Sequence, residues 1–250
     1  MKFTFINNFL LLLVAIPFPL VGGSHCALRF SVQTGYQNTG GLLRGPVEVR
    51  YEHEAFFHLA SLRFELSRFD FHTGFNYLTL NSKVETLENM RTAGFGDPFV
   101  GGTYYFLYEN RYLPELGFES ELMLPWGTRA FSLGEYVNRS RVLMQKSNSG
   151  LSLGLSFGYL VTLHYGARAI GLYSARLSTT NLAPIVLGFF GNYQERTLRR
   201  AVFLAQGGLW FGYVVTGLEL YTFWGRETHG VDEGWFFGAG MSVRLYQGRM

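Results

Sequence analysis

Cys26 is the single cysteine in 250 residues, so a disulfide-stapled scaffold is excluded. Charge is scarce as well. Asp, Glu, Lys and Arg make up 16% of the chain, against roughly 25% in an ordinary soluble domain. The net charge of +3 is spread thinly with no basic run, which removes the electrostatic footprint of a nucleic-acid binder. Prolines number only seven, and a chain that is 48% hydrophobic is too apolar to stay disordered. Beyond residue 21 no stretch reaches the ~18 apolar residues that mark a spanning helix.

Aromatic residues are abundant instead, at 17%, together with 31 glycines. A chain rich in aromatics and glycine but poor in charge suits strands that turn one face to lipid and the other to polar groups. The first residues have a different character. Lys2 precedes an apolar run from Phe9 to Val21, interrupted by Pro17 and Pro19 and followed by Gly22, Gly23 and Ser24. A basic start, a short apolar stretch and a small-residue exit predict a secretory signal peptide over 1–23, with Ala27 as a second cleavage site. The run is too short for a membrane anchor. His25 precedes Cys26 where a lipidation site wants a small residue.

The mature chain alternates with period 2 almost throughout. Leu151, Leu153, Leu155, Phe157 and Tyr159 fall on one face, and Ser152, Gly154, Ser156 and Gly158 on the other, which is the pattern of a half-buried strand. Similar patterns place strands near 27–37, 45–55, 60–79, 95–108, 113–124, 135–145, 150–161, 166–176, 183–195, 200–211, 214–226 and 235–245. The alternation changes phase at Ser67-Arg68. Neither residue favours the positive φ of a two-residue hairpin turn, so a β-bulge inside one long strand is the expectation. Twelve strands return both termini to one side and leave the longer connections, 80–94 and 125–134, on the other. A soluble β-sandwich would also alternate, but its strands average five or six residues. Strands of ten or more match the ~9–11 residues needed to cross lipid at a tilt. The fold expected is all-β: a transmembrane, antiparallel, up-and-down β-barrel of about twelve strands, forming one domain over 24–250.

Three short motifs occupy the middle third: Gly94-Phe95-Gly96-Asp97-Pro98, then Leu124-Pro125-Trp126-Gly127, then Ser132-Leu133-Gly134. With the Pro114-containing start of the intervening strand, they resemble the outer-membrane transporter family named for the meta-pathway of phenol degradation. Residues 90–165 carry the resemblance. Trp126 departs from the family's usual Thr, and the chain ends on Gln247-Gly248-Arg249-Met250, with Tyr246 as a displaced terminal aromatic. The resemblance implies a barrel in the bacterial outer membrane through which small apolar or aromatic compounds pass passively. Its partners would be outer-membrane lipid and a small-molecule solute.

If lipid takes the apolar face, the lumen receives Glu48, Arg50, Glu52 and Glu54 from the second strand. The third gives Arg63, Glu65, Asp70, His72 and Asn76, and later strands give Glu119, Glu121, Glu219 and Arg244. Arg139 and Arg141 join if 135–145 is a strand. Eight acids against five bases leave a lumen charge of −3. A lysine or arginine on the lipid face would cost about 2–4 kcal/mol at midplane, which favours this orientation. These residues suit either a conduction path or a closed interior braced by ion pairs, with Arg63 or Arg244 as partners for Glu119 and Glu121. A lipid-modifying enzyme is a third reading. It needs Ser and His on one wall, yet His58 and Ser61 lie three apart and face opposite ways. No catalytic residue, metal or cofactor is expected. The Asn138-Arg139-Ser140 triplet and the glycines at 94–102 carry no further function.

Overall fold

The computed structural model describes residues 25–43, 49–85, 89–162, 169–179, 181–196, 203–229 and 232–249. The segment 1–23 and Glu48 lie outside them. Among the described residues are thirteen strands: β1 His25–Leu43, β2 Val49–Glu65, β3 Phe69–Val84, β4 Met90–Phe95, β5 Phe99–Leu107, β6 Glu115–Met123, β7 Val137–Ser147, β8 Leu151–Thr162, β9 Ala169–Thr179, β10 Ile185–Arg196, β11 Phe203–Val215, β12 Leu218–His229 and β13 Asp232–Arg249. All belong to one antiparallel sheet. Its first and last strands pair from His25↔Arg249 to Gly40↔Glu233, so the sheet closes on itself as a barrel.

The barrel has twelve positions, because β4 and β5 share one. Both pair with β3, β4 along 77–82 and β5 along 69–74. Four steps from Phe95 to Phe99 answer three steps from Tyr77 to Gly74, so an extra residue bulges out at Gly96-Asp97-Pro98. Pro98 has no N–H to offer a ladder, which accounts for the interruption. The strand count expected from alternation holds. β4 begins inside the segment 80–94 read as a loop, while the connection at 125–134 is present, as 124–136.

The phase change at Ser67-Arg68 is a hairpin turn. Leu66 and Phe69 exchange backbone hydrogen bonds of 2.7 and 3.2 Å across it, and β2 runs unbroken through 56–59, where a turn was expected. The turn residues lack favourable turn chemistry, but their neighbours supply support. The Tyr108 hydroxyl donates to the Ser67 carbonyl, the Tyr105 amide donates to Arg68 O at 2.9 Å, and the Arg68 guanidinium lies 5.4 Å from the Tyr108 ring centre. Tertiary contacts thus hold a turn that local propensity disfavours.

Polarity is inverted relative to a soluble domain. Phe157, Phe189, Trp224, Phe237 and Leu245 are exposed on the outside, whereas Asp70, Thr103, Glu121, Ser156, Glu227 and Ser242 are buried. The period of two does this on every strand, since a tilted strand puts alternate residues on opposite faces of the wall. β7, polar on both faces in sequence, follows the same rule. Arg139 and Arg141 point inward, while Asn138 and Ser140 point outward and bond to each other and to Ser120. β1, β2 and β3, at 16 to 19 residues, exceed the ~9–11 that a crossing needs, so they rise well beyond the nine-residue β6.

Leu155 lies on the outer face of β8 and Gly154 on the inner, where an added Cβ meets nothing closer than 4.0 Å. Leu155→Arg should destabilise the barrel in lipid by about 2–4 kcal/mol, and Gly154→Ser by far less. Urea unfolding in vesicles, followed by heat-modifiable gel mobility, checks the contrast. Equal damage at the two sites would contradict the register.

Candidate functional site

The barrel's interior is held by ion pairs and hydrogen bonds between strands. Toward the end that carries the termini, the base, Arg29 on β1 meets Glu65 at 3.1 Å and Glu219 at 3.5 Å. Arg63 is bonded to Asp70, and the Tyr105 hydroxyl donates to the same carboxylate at 3.0 Å. Across the β6–β7 rungs, Arg141 donates to Glu119 at 3.0 Å and Arg139 to Glu121 at 2.6 Å. His72 Nε2 lies 3.3 Å from Glu121, whose side chain is 3% exposed. Higher up, toward the loops at the opposite end, the fully buried Glu227 accepts from Gln37 at 2.5 Å, Thr39 at 2.7 Å and Gln206 at 2.9 Å. The partners of Glu119 and Glu121 are therefore the arginines directly opposite on β7, not Arg63 or Arg244. A cross-strand neighbour on the same face is within reach without distortion.

Arg63, Glu65, Asp70, His72, Asn76, Glu119, Glu121, Glu219 and Arg244 all take inward positions by register, as sequence alternation indicates, and Arg139 and Arg141 join them. Arg50, Glu52 and Glu54 do not. Because β2 continues through 56–59 without a break, even-numbered residues stay on the outer face from Phe64 back to Arg50. Glu52 and Glu54 sit there on the tall extension of the wall, 3.9 and 3.6 Å from Lys83, with Asn38 donating to Glu52 at 2.8 Å. The misplaced turn shifted the phase. Among the residues whose side chains are described, seven inward acids (Glu65, Asp70, Glu115, Glu119, Glu121, Glu219, Glu227) face six inward arginines (Arg29, Arg63, Arg139, Arg141, Arg176, Arg244). These described side chains sum to −1 with histidines neutral, a smaller acid excess than the −3 expected, because Glu52 and Glu54 leave the interior. Arg29 and Arg176 are each a lone charge in an otherwise apolar or small-residue strand, and Glu227 lies one residue past the strand expected over 214–226. Only the strand parity marks them.

A cavity of about 1080 Å³ runs inside the wall from Arg29 to Gln37 along β1. Eight residues at ~3.3 Å each make that roughly 26 Å of strand. One part of its lining is polar and draws on those pairs through Arg29, Glu65, Glu219, Glu119, Glu121 and Arg139. The other part is aromatic: Phe57, Phe223, Phe236 and Phe190 form a chain of rings whose centres are 6.5, 6.3 and 5.9 Å apart. Trp210 and Tyr221 continue it. Two smaller spaces, of about 200 and 260 Å³, adjoin along β6–β11, and Arg139, Arg141 and Arg176 stand on the boundaries.

The three sequence motifs meet at the loop end, the first brought onto the other two from about thirty residues away in sequence. Asp97 Oδ1 accepts from the Gly127 amide at 3.0 Å, and Oδ2 from the Leu133 amide at 2.8 Å. Thr128 bonds the Phe95 carbonyl through both its amide, at 2.7 Å, and its hydroxyl, at 2.9 Å. Pro98 ends the break in β4–β5, and its carbonyl accepts from Leu124 at 2.8 Å, beside Pro125. Gly127 packs on the backbone of Gly96, where any Cβ would lie 2.7 Å from the Gly96 carbonyl carbon. A Cβ on Gly94 would strike Thr128. The 124–136 loop thus replaces a second partner strand for β4 and is pinned by one carboxylate.

No family model and no curated protein matches the chain by sequence. Solved structures do match in shape. An outer-membrane channel of the COG4313 group from Pseudomonas putida F1 superposes with a TM-score of 0.65 at 11% identity, covering 88% of this chain and 96% of that one. The translocator domain of the autotransporter NalP from Neisseria meningitidis gives 0.57 at 13%, over 88% of each. The NanC porin gives 0.57 at 10%, over 86% of this chain and 100% of its own. At these identities the likeness is one of fold, and the fold is that of bacterial outer-membrane barrels.

The Asp97 pins and the lumen pairs lead to separate tests. Asp97→Ala should release the loop and expose Arg129 to trypsin in intact vesicles, with the barrel core still resistant. Unchanged cleavage at Arg129 would remove Asp97 from that role. Glu121→Gln should cost about 1.5–3 kcal/mol, the value of a charge-assisted hydrogen bond in a water-poor site. Glu52→Gln, whose half-exposed pair faces outward, should cost about 0–1 kcal/mol. Chemical unfolding of the two variants measures the difference.

Proposed function

We propose that the protein is an outer-membrane channel for passive passage of small apolar or aromatic compounds. The observation that carries this reading is the elongated cavity, whose aromatic wall offers flat apolar contact to a ring. Ring pairs at centroid separations of about 4.5–7 Å stabilise one another, and a solute ring entering between Phe57, Phe223 and Phe236 gains contacts of the same kind. The apolar or aromatic solute class comes from the resemblance of the Gly94–Pro98 and Pro125–Gly127 motifs, which hold one shared loop together, to the phenol meta-pathway transporters. Passive passage needs solute contacts strong enough to enter and weak enough to leave, which a row of apolar rings provides.

A second reading is a closed, braced barrel. The arginines standing between the three interior spaces favour it, because guanidinium–carboxylate pairs across a narrow barrel block transit as well as fix its shape. The two readings separate in purified vesicles. Proteoliposomes loaded with nicotinamide should release it faster than erythritol, an aliphatic solute of nearly equal mass, and faster than empty vesicles do. Release of neither solute above the protein-free background would leave the braced barrel. Fractionation of cells should place the protein in the outer membrane, and recovery in the soluble periplasmic fraction would end both readings.

A further inference from the structure

Five of the six interior arginines have an evident occupation. Arg29, Arg63, Arg139 and Arg141 are bound to carboxylates, and Arg244 donates to Gln247 at 2.9 Å near the base. Arg176 differs. Among the described residues no carboxylate lies within 4.0 Å of its guanidinium, which is instead stacked 4.1 Å from the centre of the Trp210 ring. It opens onto both the large cavity and the smaller one beside β6–β8. The carboxylate whose field it feels, Glu219, is already engaged by Arg29 at 3.5 Å.

The stack is built by the sequence. β10 separates Arg176 on β9 from Trp210 on β11, and at the rung opposite Trp210 it carries Gly188. A Cβ there would collide with the indole nitrogen. With no side chain in the way, the indole lies across β10 and reaches the guanidinium. An arginine stacked by its face keeps the N–H groups at its edge free, in the planar fork that matches a carboxylate. Those groups stand beside the aromatic wall. Phe190 is the register partner of Arg176, and Phe223 that of Trp210. Neighbouring strands are only ~4.8 Å apart, so one small molecule can touch both a ring and the guanidinium.

We infer that Arg176 on Trp210 is the recognition point for the acidic group of a small aromatic carboxylate, with the ring of that solute on the Phe190–Phe236–Phe223 wall. The inference rests on the channel reading and narrows its solute class from aromatic compounds in general to aromatic acids. A free carboxylate is the complement this place lacks, and an aliphatic acid would leave the rings without contact. A cationic aromatic would bring a like charge to an arginine that has no direct ion-pair partner among the described residues.

The matched pair nicotinate and nicotinamide, with acetate as a ring-free acid, tests it in proteoliposomes at neutral pH. The wild-type protein should release nicotinate faster than acetate. Arg176→Gln should lower the nicotinate-to-nicotinamide release ratio by about tenfold, on the order of one charge-assisted hydrogen bond. Arg176→Lys, which keeps the charge and loses the fork, should fall between. Heat-modifiable mobility verifies that each variant is folded. If Arg176→Gln does not insert, competition in the wild type decides: unlabelled nicotinate should slow nicotinamide release and acetate should not. An unchanged ratio in a folded variant, or equal competition by acetate, overturns the aromatic-acid site while leaving the channel standing. Release of none of the three solutes above background overturns both.

Discussion

Inside a bilayer no water can satisfy a backbone N–H or C=O, and each one left unpaired costs several kcal/mol. A sheet meets that constraint only by having no edge. Here the requirement falls on the pairing of β1 with β13, the two strands furthest apart in sequence, whose register runs nearly the full length of β1. Nothing else in the molecule could hold without it, because the remaining strands pair with sequence neighbours and would form an open sheet. Beside β4, where a partner strand is missing, the 124–136 loop covers the edge. Its bonds to Phe95 and Asp97 take over part of what a strand would have satisfied.

Closure fixes the interior as well. A barrel of twelve positions leaves a space that side chains of alternate residues must either fill or leave open. In this chain the polar wall fills it by rungs. Glu119 with Arg141 and Glu121 with Arg139 are cross-strand partners before they are ion pairs, so the hydrogen-bond ladder has already brought the charges together. On the opposite wall small residues alternate with large ones. Gly188 admits Trp210, and Gly238 lies beneath the Phe223 ring. The result is one interior with a rigid charged side and an aromatic side.

Most of the architecture was legible in sequence because a strand with one face in lipid must alternate. Gly150 to Val161 could hardly be anything else. Legibility failed where tertiary support replaced local propensity. Ser67-Arg68 turns because Tyr105 and Tyr108 hold it, and those residues lie some forty positions away. That single displaced turn reversed the parity of the segment before it and sent Glu52 and Glu54 to the wrong side of the wall. Residues such as Arg63, Glu65 and Glu219, placed beyond the error or on other strands, were read correctly. The aromatic wall was missed for a different reason. Phe57, Phe190, Phe223 and Phe236 look like lipid-facing residues by type, and nothing but their register distinguishes them from Phe56, Phe189, Trp224 and Phe237 next to them.

At Phe56-Phe57, Phe189-Phe190, Phe223-Trp224 and Phe236-Phe237, consecutive aromatics face opposite ways across the same wall. Lipid explains the outer member of each pair, since burying its ring in hydrocarbon costs nothing and stabilises the barrel. The inner member has no such explanation. A barrel that needed only to close could have placed serine or glycine there, as β8 does with Ser152, Gly154, Ser156 and Gly158 facing inward. Four inner rings on β2, β10, β12 and β13 instead present a continuous apolar surface to an otherwise polar interior. The charged half accounts for shape and rigidity through its pairs, so the proposed passage of a solute rests on the aromatic half.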